Sequence, residues 1–425
     1  MISLEIKLPA TYLTVKREEL EFLAENSKTP FSFARAKKWT FSDLFQFYCE
    51  LRESGQRQSR GYLGESGMPG VEIPVIGGFK FDYSYQRLRL NSTNHNPFGI
   101  IHPSSDIKFA VQSLFLLSSA QAGLTQLLES IHQSWGRLPV WTPYSCFHET
   151  KRHLKIFGWK FNQNEPAQPS ILIFDSSTFQ ARDQIESLNL KAKVRLIIFD
   201  TTCFSRQSPF FFKALKVLKK FNCPIVLVRS ALKLDNLGME WGRFGHLLYL
   251  DSKRSPELES LIATYNQLTS HFGTSASTRQ VYPFYDNSTM QTLGENWAER
   301  IRKSNQLAVA SLRQNSGLSD KDIVEYQHQN FFWLSLPTDL ANSHREEERI
   351  CKSLYFHKVP YIVASSFPWS SLALTSFCNR KKFKLHAEPL KTDPRYLRIS
   401  FGDFDESTAS EYAETLSRTL NMRRR

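Results

Sequence analysis

The stretch VRLIIFDTTCFSRQSPFFFKALKVLKKFNCPIVLVRSALK (Val194–Lys233) decides the fold. It opens on an apolar run that ends at Asp200 and closes on a second, CPIVLV, that leads into Arg229, Ser230 and Lys233. Between them, PFFFKALKVLKKFN has apolar residues at helical spacing and opens on Pro209, a residue suited to a helix's first turn. Short apolar runs separated by a helix read as strands buried on both faces, paired in parallel through a crossover.

The same alternation extends outward. SILIFDSS (Ser170–Ser177) is another buried-type strand, LPVWTP a further one, and ETKRHLKIFGW and AGLTQLLESIHQSW carry helical periodicity. VQSLFLLSS reads as a helix end or a strand leading into a turn. From about Asp106 the chain is therefore expected to be α/β, with a mostly parallel sheet and helices on both faces. Beyond Leu250 the pattern changes. SPELESLIATYNQLTSHF and Leu293–Gln314 read as helices, FFWLSLP, VPYIVASS and RYLRISFG as strands, and a helix closes the chain from about Thr408. These form a smaller C-terminal α+β domain.

The expected division is an N-terminal segment over residues 1–75, a large domain over 76–290 and a small domain over 291–425, with the boundary near 285–295. Residues 1–60 read as a short strand followed by mixed helical segments such as Thr40–Ser54, and Gly61–Gly78 as a loop or linker. The N-terminal segment would serve as an arm or a lid.

A chain of 425 residues is too long for one ordinary core. The 33 phenylalanines supply much apolar area to bury, enough to predict an extensive interface as well. No run approaches the roughly 20 apolar residues that cross a bilayer, and MISLEIKLPATYLTVKREELEF lacks the layout of a signal peptide. The six cysteines are scattered without metal spacing, as in a reducing compartment, so a soluble cytoplasmic protein is expected. His148-Glu149 and His153 imitate a zinc helix, but five residues place the two rings about 140° apart on a helix, so no metal is expected. The net charge of +13 comes from basic residues spread along the chain without a nucleic-acid motif, which suits an anionic ligand better than a polynucleotide.

Ligands of open α/β sheets sit at the carboxyl ends of strands, and several such ends here carry polar groups. Asp200 ends an apolar strand and could hold a protonated ring nitrogen, although Asp also caps turns. Lys233 follows the next strand, with Ser230 three residues before it and Arg229 as a possible cationic neighbour; its amine could form a Schiff base while Ser230 touches phosphate. Ser118, Ser119, Ala120 and Gln121 form a small-residue turn into a helix, a place for phosphate on backbone N–H groups. Phe147 or His148, with Tyr144 less well placed, could stack on a ring. Arg398, in a β-type segment, suits a substrate carboxylate.

In this order the motifs resemble those of fold-type I pyridoxal-phosphate enzymes, and within them the cysteine/methionine-metabolism lyases and synthases. FDTTCF is similar to that family's ring-nitrogen motif, SALK to its lysine motif and RISFG to its carboxylate-binding strand; YQR, with Tyr85 and Arg87, resembles the segment that reaches the partner subunit's phosphate. The resemblance implies an aspartate-aminotransferase-like large domain, pyridoxal 5'-phosphate on Lys233, a small amino-acid substrate and a homodimer. It implies a lyase or transferase acting at Cα, Cβ or Cγ, with an aminotransferase as the alternative and a non-catalytic basic interaction protein as the second. The chain departs from the family where DSSTF replaces an asparagine-bearing motif and LDNLGMEWGRFG replaces a Gly-Gly-His run.

Overall fold

The computed structural model describes residues 10–26, 43–44, 46–51, 53–54, 75–76, 79–84, 87–92, 102, 107–143, 146–162, 170–177, 194–238, 244–253, 255–276, 285, 287–316, 318, 322–325, 330–336, 340–357, 359, 361–363, 372–376 and 395–421. Two compact units divide the chain: Leu51–Glu295 with Glu25–Thr29, and Asn296–Arg425 with Met1–Ala24 and Pro30–Glu50. The first helix, α1 (Ala10–Asn26), thus lies almost wholly in the second unit.

The larger unit begins with an antiparallel meander, β1 (Val75–Ile76), β2 (Phe79–Ser84) and β3 (Arg87–Ser92). Val75–Ile76, within the stretch Gly61–Gly78 expected as a loop or linker, thus form a strand paired with Phe79–Lys80, and the rest of that stretch lies outside the described residues. The central sheet follows with β4 (Val111–Leu117), α2 (Ala120–Trp135), β5 (Val140–Trp141), α3 (His148–Ile156), β6 (Phe161–Asn162), β7 (Ile171–Asp175), β8 (Leu196–Asp200), α4 (Pro209–Leu218), β9 (Ile225–Ser230), β10 (Gly245–Asp251) and α5 (Pro256–Phe272). Its strand order is β4-β10-β9-β8-β7-β5-β6, parallel throughout except for β10, which runs against both neighbours. GHLLYLD of β10 is buried along its whole length and did not figure among the expected strands. VQSLFLL is a strand, not a helix end.

Side-chain alternation decides which helix covers which face. Leu196 and Ile198 of β8 join Val226 and Val228 of β9 under α2 and α5, packed on Leu127, Leu128, Ile131, Leu258 and Leu261. Ile197 and Phe199 face the other way with Ile225 and Leu227, onto Phe211, Ala214, Leu215 and Leu218 of α4. Each such side chain, fully buried, contributes about 1.5–3 kcal/mol. The helix ends are set locally. Ser119 caps α2 by accepting from Ala122 N–H at 3.1 Å, and Ser255 caps α5 ahead of Pro256 and two first-turn acids.

The second unit holds most of α6 (Ser288–Ser316), then β11 (Ile323–Glu325), β12 (Phe332–Leu336), α7 (Leu340–Phe356), β13 (Tyr361–Val363), β14 (Leu372–Ser376), β15 (Arg395–Ser400) and α8 (Glu406–Asn421). The sheet order is β11-β12-β15-β14-β13, antiparallel but for the β13–β14 pair. Tyr12 of α1 packs into this unit's core beside Val309, Leu312, Phe404 and Tyr412. A buried charge cluster fastens α1 there. Lys16 pairs with Asp403 and, at 2.9 Å, with Glu19, while Arg300 pairs with Glu19 and, at 3.1 Å, with Asp403.

Removing one member of a buried ion cluster leaves uncompensated charge in the core. Asp403→Ala is expected to destabilise the protein by about 3–5 kcal/mol, and Lys16→Met with Asp403→Leu to recover most of that loss. Denaturant unfolding of the single and double variants measures both.

Candidate active site

Five strand ends meet along one edge of the central sheet, and the strand register puts them there. Asp175 pairs with Asp200 at the ends of β7 and β8, and Asp200 lies opposite Val228, two residues before β9 ends at Ser230. Ser230 is paired with Gly245, and Gly245 with Leu117, so the start of β10 and the end of β4 complete the row. At ordinary strand spacing the row from the tip of β4 to the tip of β8 spans about 14 Å.

The tips of β8 and β9 are joined by hydrogen bonds. Thr202 N–H donates to Asp200 Oδ1 at 2.8 Å, closing a turn on its own strand end. Ser230 N–H donates to Thr202 Oγ1 at 3.0 Å, and Leu232 N–H to Ser230 Oγ at 3.4 Å. Lys233, half-buried, comes three residues beyond the end of β9 and precedes a 3-10 turn over Leu234–Asn236. Lys233 and Asp200 thus belong to adjoining tips of two parallel strands.

Asp200 has an unusual environment. It is hydrogen-bonded by Thr202, whereas Asp175 accepts from two other residues. Asp175 Oδ2 accepts from Phe147 N–H at 2.8 Å, and its Oδ1 accepts from Ser177 N–H at 2.7 Å. Burial first, then the Asp175 carboxylate across the strand pair, push Asp200 up to about 7. A cation brought to Oδ2 would reverse this, because it favours the ionised form.

At the other end of the row, Ser119 Oγ is used as the cap of α2. The N–H groups of Ala120 and Gln121, which precede the first capped position, take no partner among the described residues. Gln121 Oε1 is buried without a hydrogen bond. Together with the positive end of the α2 dipole this donor set suits an anion. The turn reaches its position because residue 245 is glycine, whose absent Cβ would overlap Ala120 N and Cα and Ser119 C.

The remaining expected residues are placed as follows. Phe147, half-buried, is the N-cap of α3 and is tied to the tip of β7 through its N–H. His148 opens α3 and is described through its backbone alone, as is Arg87, which opens β3. Tyr85 and Tyr144 lie outside the described residues. Arg398 sits on β15 of the second unit, 7% exposed, with its guanidinium 3.8 Å from the centre of the Phe331 ring. Arg229 departs from its expected part as a cation lowering the lysine's proton affinity. Its guanidinium is 1% exposed and clamped onto Asp235, so its charge is compensated on the spot. Asp175 and Asp235 were not among the expected site residues. For Asp175 a signal existed: the consecutive sheet strands ILIFD and LIIFD both end in Phe-Asp, and parallel pairing in register sets those carboxylates side by side.

No family profile and no curated protein sequence matches the chain. Solved structures do. An aromatic amino acid aminotransferase from Burkholderia cenocepacia J2315 superposes with a TM-score of 0.52 at 11% identity over 87% of each chain. An aromatic amino acid aminotransferase with 3-indolebutyric acid gives 0.50 at 12% identity, over 86% of this chain and 88% of the other. MetB from Corynebacterium glutamicum gives 0.46 at 12% identity, over 74% and 81%. The first two likenesses show the fold: a mostly parallel sheet flanked by helices, of the aminotransferase type.

Two outcomes follow from the geometry. Gly245→Ala forces the turn before α2 away from β10; anion binding at that turn, measured with inorganic phosphate, is expected to fall at least tenfold while the far-UV spectrum is kept. Because folded Asp200 holds its proton up to about 7, its ionisation destabilises the fold; the cost is absent at acid pH, grows as pH rises past the unfolded value and is complete above about 7. Asp200→Asn should therefore stabilise the ligand-free protein by roughly 1–3 kcal/mol near pH 8 and leave it unchanged below about pH 4, as read by thermal unfolding at the two pH values.

Proposed function

We propose that this chain is a pyridoxal-phosphate-dependent enzyme acting on a small amino-acid substrate. The observation that carries the reading is the shared edge: Lys233 and Asp200 on adjoining strand tips, with the uncapped N–H groups of α2 at the end of the same row. The residues fit the group. The turn Ser118–Gln121 and the Ser230 hydroxyl would hold its phosphate, Lys233 would supply the amine that holds its aldehyde, and Asp200 Oδ2 would hold its ring nitrogen protonated. Phe147 or His148 would cover the ring. The aminotransferase-type fold supports the same reading.

When bound, pyridoxal phosphate supplies an electron sink for the bonds at the substrate's Cα. The chain's own residues do the rest. An ionised Asp200 would keep the ring nitrogen protonated, and the adjacent positive charge would favour the carboxylate form that burial and Asp175 oppose in the free protein. Lys233 would be the base that takes and returns the Cα proton. Arg398 is the proposed partner of the substrate carboxylate, through its planar guanidinium fork. On this reading the chain works as a homodimer, and Tyr85 and Arg87 reach the phosphate of the neighbouring site.

For the reaction we favour transferase or lyase chemistry of the sulfur-amino-acid type, on FDTTCF, SALK and RISFG. Amino-group transfer is the second reading, favoured by the two aminotransferases of similar fold. No helix among the described residues is long and apolar enough to cross a membrane, and a cytoplasmic location is part of the proposal.

The purified protein is expected to turn yellow with pyridoxal phosphate and to carry it on Lys233 after borohydride reduction. Lys233→Ala should abolish both signals. A protein that stays colourless would favour a cofactor-free interaction protein. An amino-acid panel scored for keto acid, ammonia and sulfide separates the reactions, because amino transfer to a keto acid without ammonia release excludes the lyase.

A further inference from the structure

Arg229 is the penultimate residue of β9, Asp235 lies in the 3-10 turn that follows, and Lys233 falls between them. The two charged side chains are each 1% exposed and meet as a fork: Nε–H donates to Asp235 Oδ2 at 2.8 Å and Nη2–H to Oδ1 at 2.5 Å. Nη1–H donates to the carbonyls of Thr201 at 2.7 Å and Phe204 at 2.8 Å. Those carbonyls belong to the loop that leaves β8 directly after Asp200. One guanidinium therefore holds both strand tips, the segment beginning at Asp200 and the segment containing Lys233.

The loop it holds is strained. Leu237, buried, stands at φ 56, a region that a branched aliphatic residue rarely occupies, and Gly238 follows at φ 71. Gly238 N–H returns to the Lys233 carbonyl at 3.3 Å and closes the turn. A second guanidinium adds to the clamp: Arg206 Nε lies 3.5 Å from Asp235 Oδ1, while Arg206 itself stacks on the Tyr285 ring at 3.8 Å. Burial alone would raise the Asp235 carboxyl, but the adjacent Arg229 outweighs it and holds the group well below the usual range, so the clamp stays charged across the physiological range.

We propose that the Arg229–Asp235 ion pair is a positioning device for Lys233: it fixes the lysine-bearing loop against the Asp200 tip so that amine and carboxylate address the same ring. This rests on the cofactor reading above. Arg229 and Asp235 are positioning residues and touch neither cofactor nor substrate. Isolated pairing of this kind is costly to desolvate, and an apolar pair would serve stability as well. What the fork adds is direction, since four hydrogen bonds from one rigid plane leave the loop a single seat.

The test uses the full chain and pyridoxal phosphate, read by the rate at which the lysine-bound absorbance appears and by peptide mapping after borohydride reduction. Asp235→Asn, and the apolar replacement Arg229→Met with Asp235→Leu, are expected to slow capture on Lys233 at least tenfold, with inorganic phosphate still binding within twofold of wild type. A double variant that unfolds at the wild-type temperature and captures cofactor on Lys233 at the wild-type rate would overturn the proposal and leave the cofactor reading intact. A wild-type protein that captures nothing on Lys233 overturns the cofactor reading and this one with it. Should the variants fail to fold, hydrogen exchange of the wild type decides: amides of Leu232–Gly238 protected like those of β8 and β9 support the clamp, and loop-like exchange sinks it.

Discussion

Parallel pairing of β7, β8 and β9 in register is the constraint from which the rest follows. Because these strands run the same way, their polar carboxyl-end residues gather on one edge, while their apolar lengths disappear between α2 and α5 on one face and α4 on the other. An antiparallel arrangement would send alternate tips to opposite ends of the sheet and leave no common site. The crossover helix α4 makes the parallel pairing of β8 and β9 possible, and its apolar face makes it stable.

The same register creates an electrostatic conflict. Asp175 and Asp200 end neighbouring strands side by side, so the charge of Asp175 opposes the ionisation of Asp200. Asp200 is left with a carboxylate that ionises reluctantly in the free protein, a state that a ring cation would relieve. At the far end of the row the complementary situation holds, with N–H groups at the start of α2 that an anion would satisfy. A ligand carrying a cation at one end and a phosphate at the other would answer both.

Between these ends, the loop after β9 is held by charge. Arg229 is buried on a strand that is aliphatic up to Val228, and its guanidinium turns back to gather Asp235 and the carbonyls beyond β8. The strain at Leu237 is tolerated because the segment is tied on both sides of it. Separately, the second unit draws α1 into its own core through Tyr12 and the Lys16–Asp403 and Glu19–Arg300 contacts.

Much of this was legible in the sequence. Apolar runs ending at Asp175, Asp200 and Ser230, with helical periodicity between the last two, are local properties of side-chain hydrophobicity and spacing, and they determined the α/β class and the strand tips that carry polar groups. The antiparallel β10 was hidden, since a continuously buried strand has no period to mark its direction or its neighbours. The meander after residue 75 and the partnership of Arg229 were hidden for a related reason. Register and ion pairing are relations between segments, and only tertiary packing decides which carboxylate stands beside which, which cation is spent on structure, and which glycine must make room for a turn.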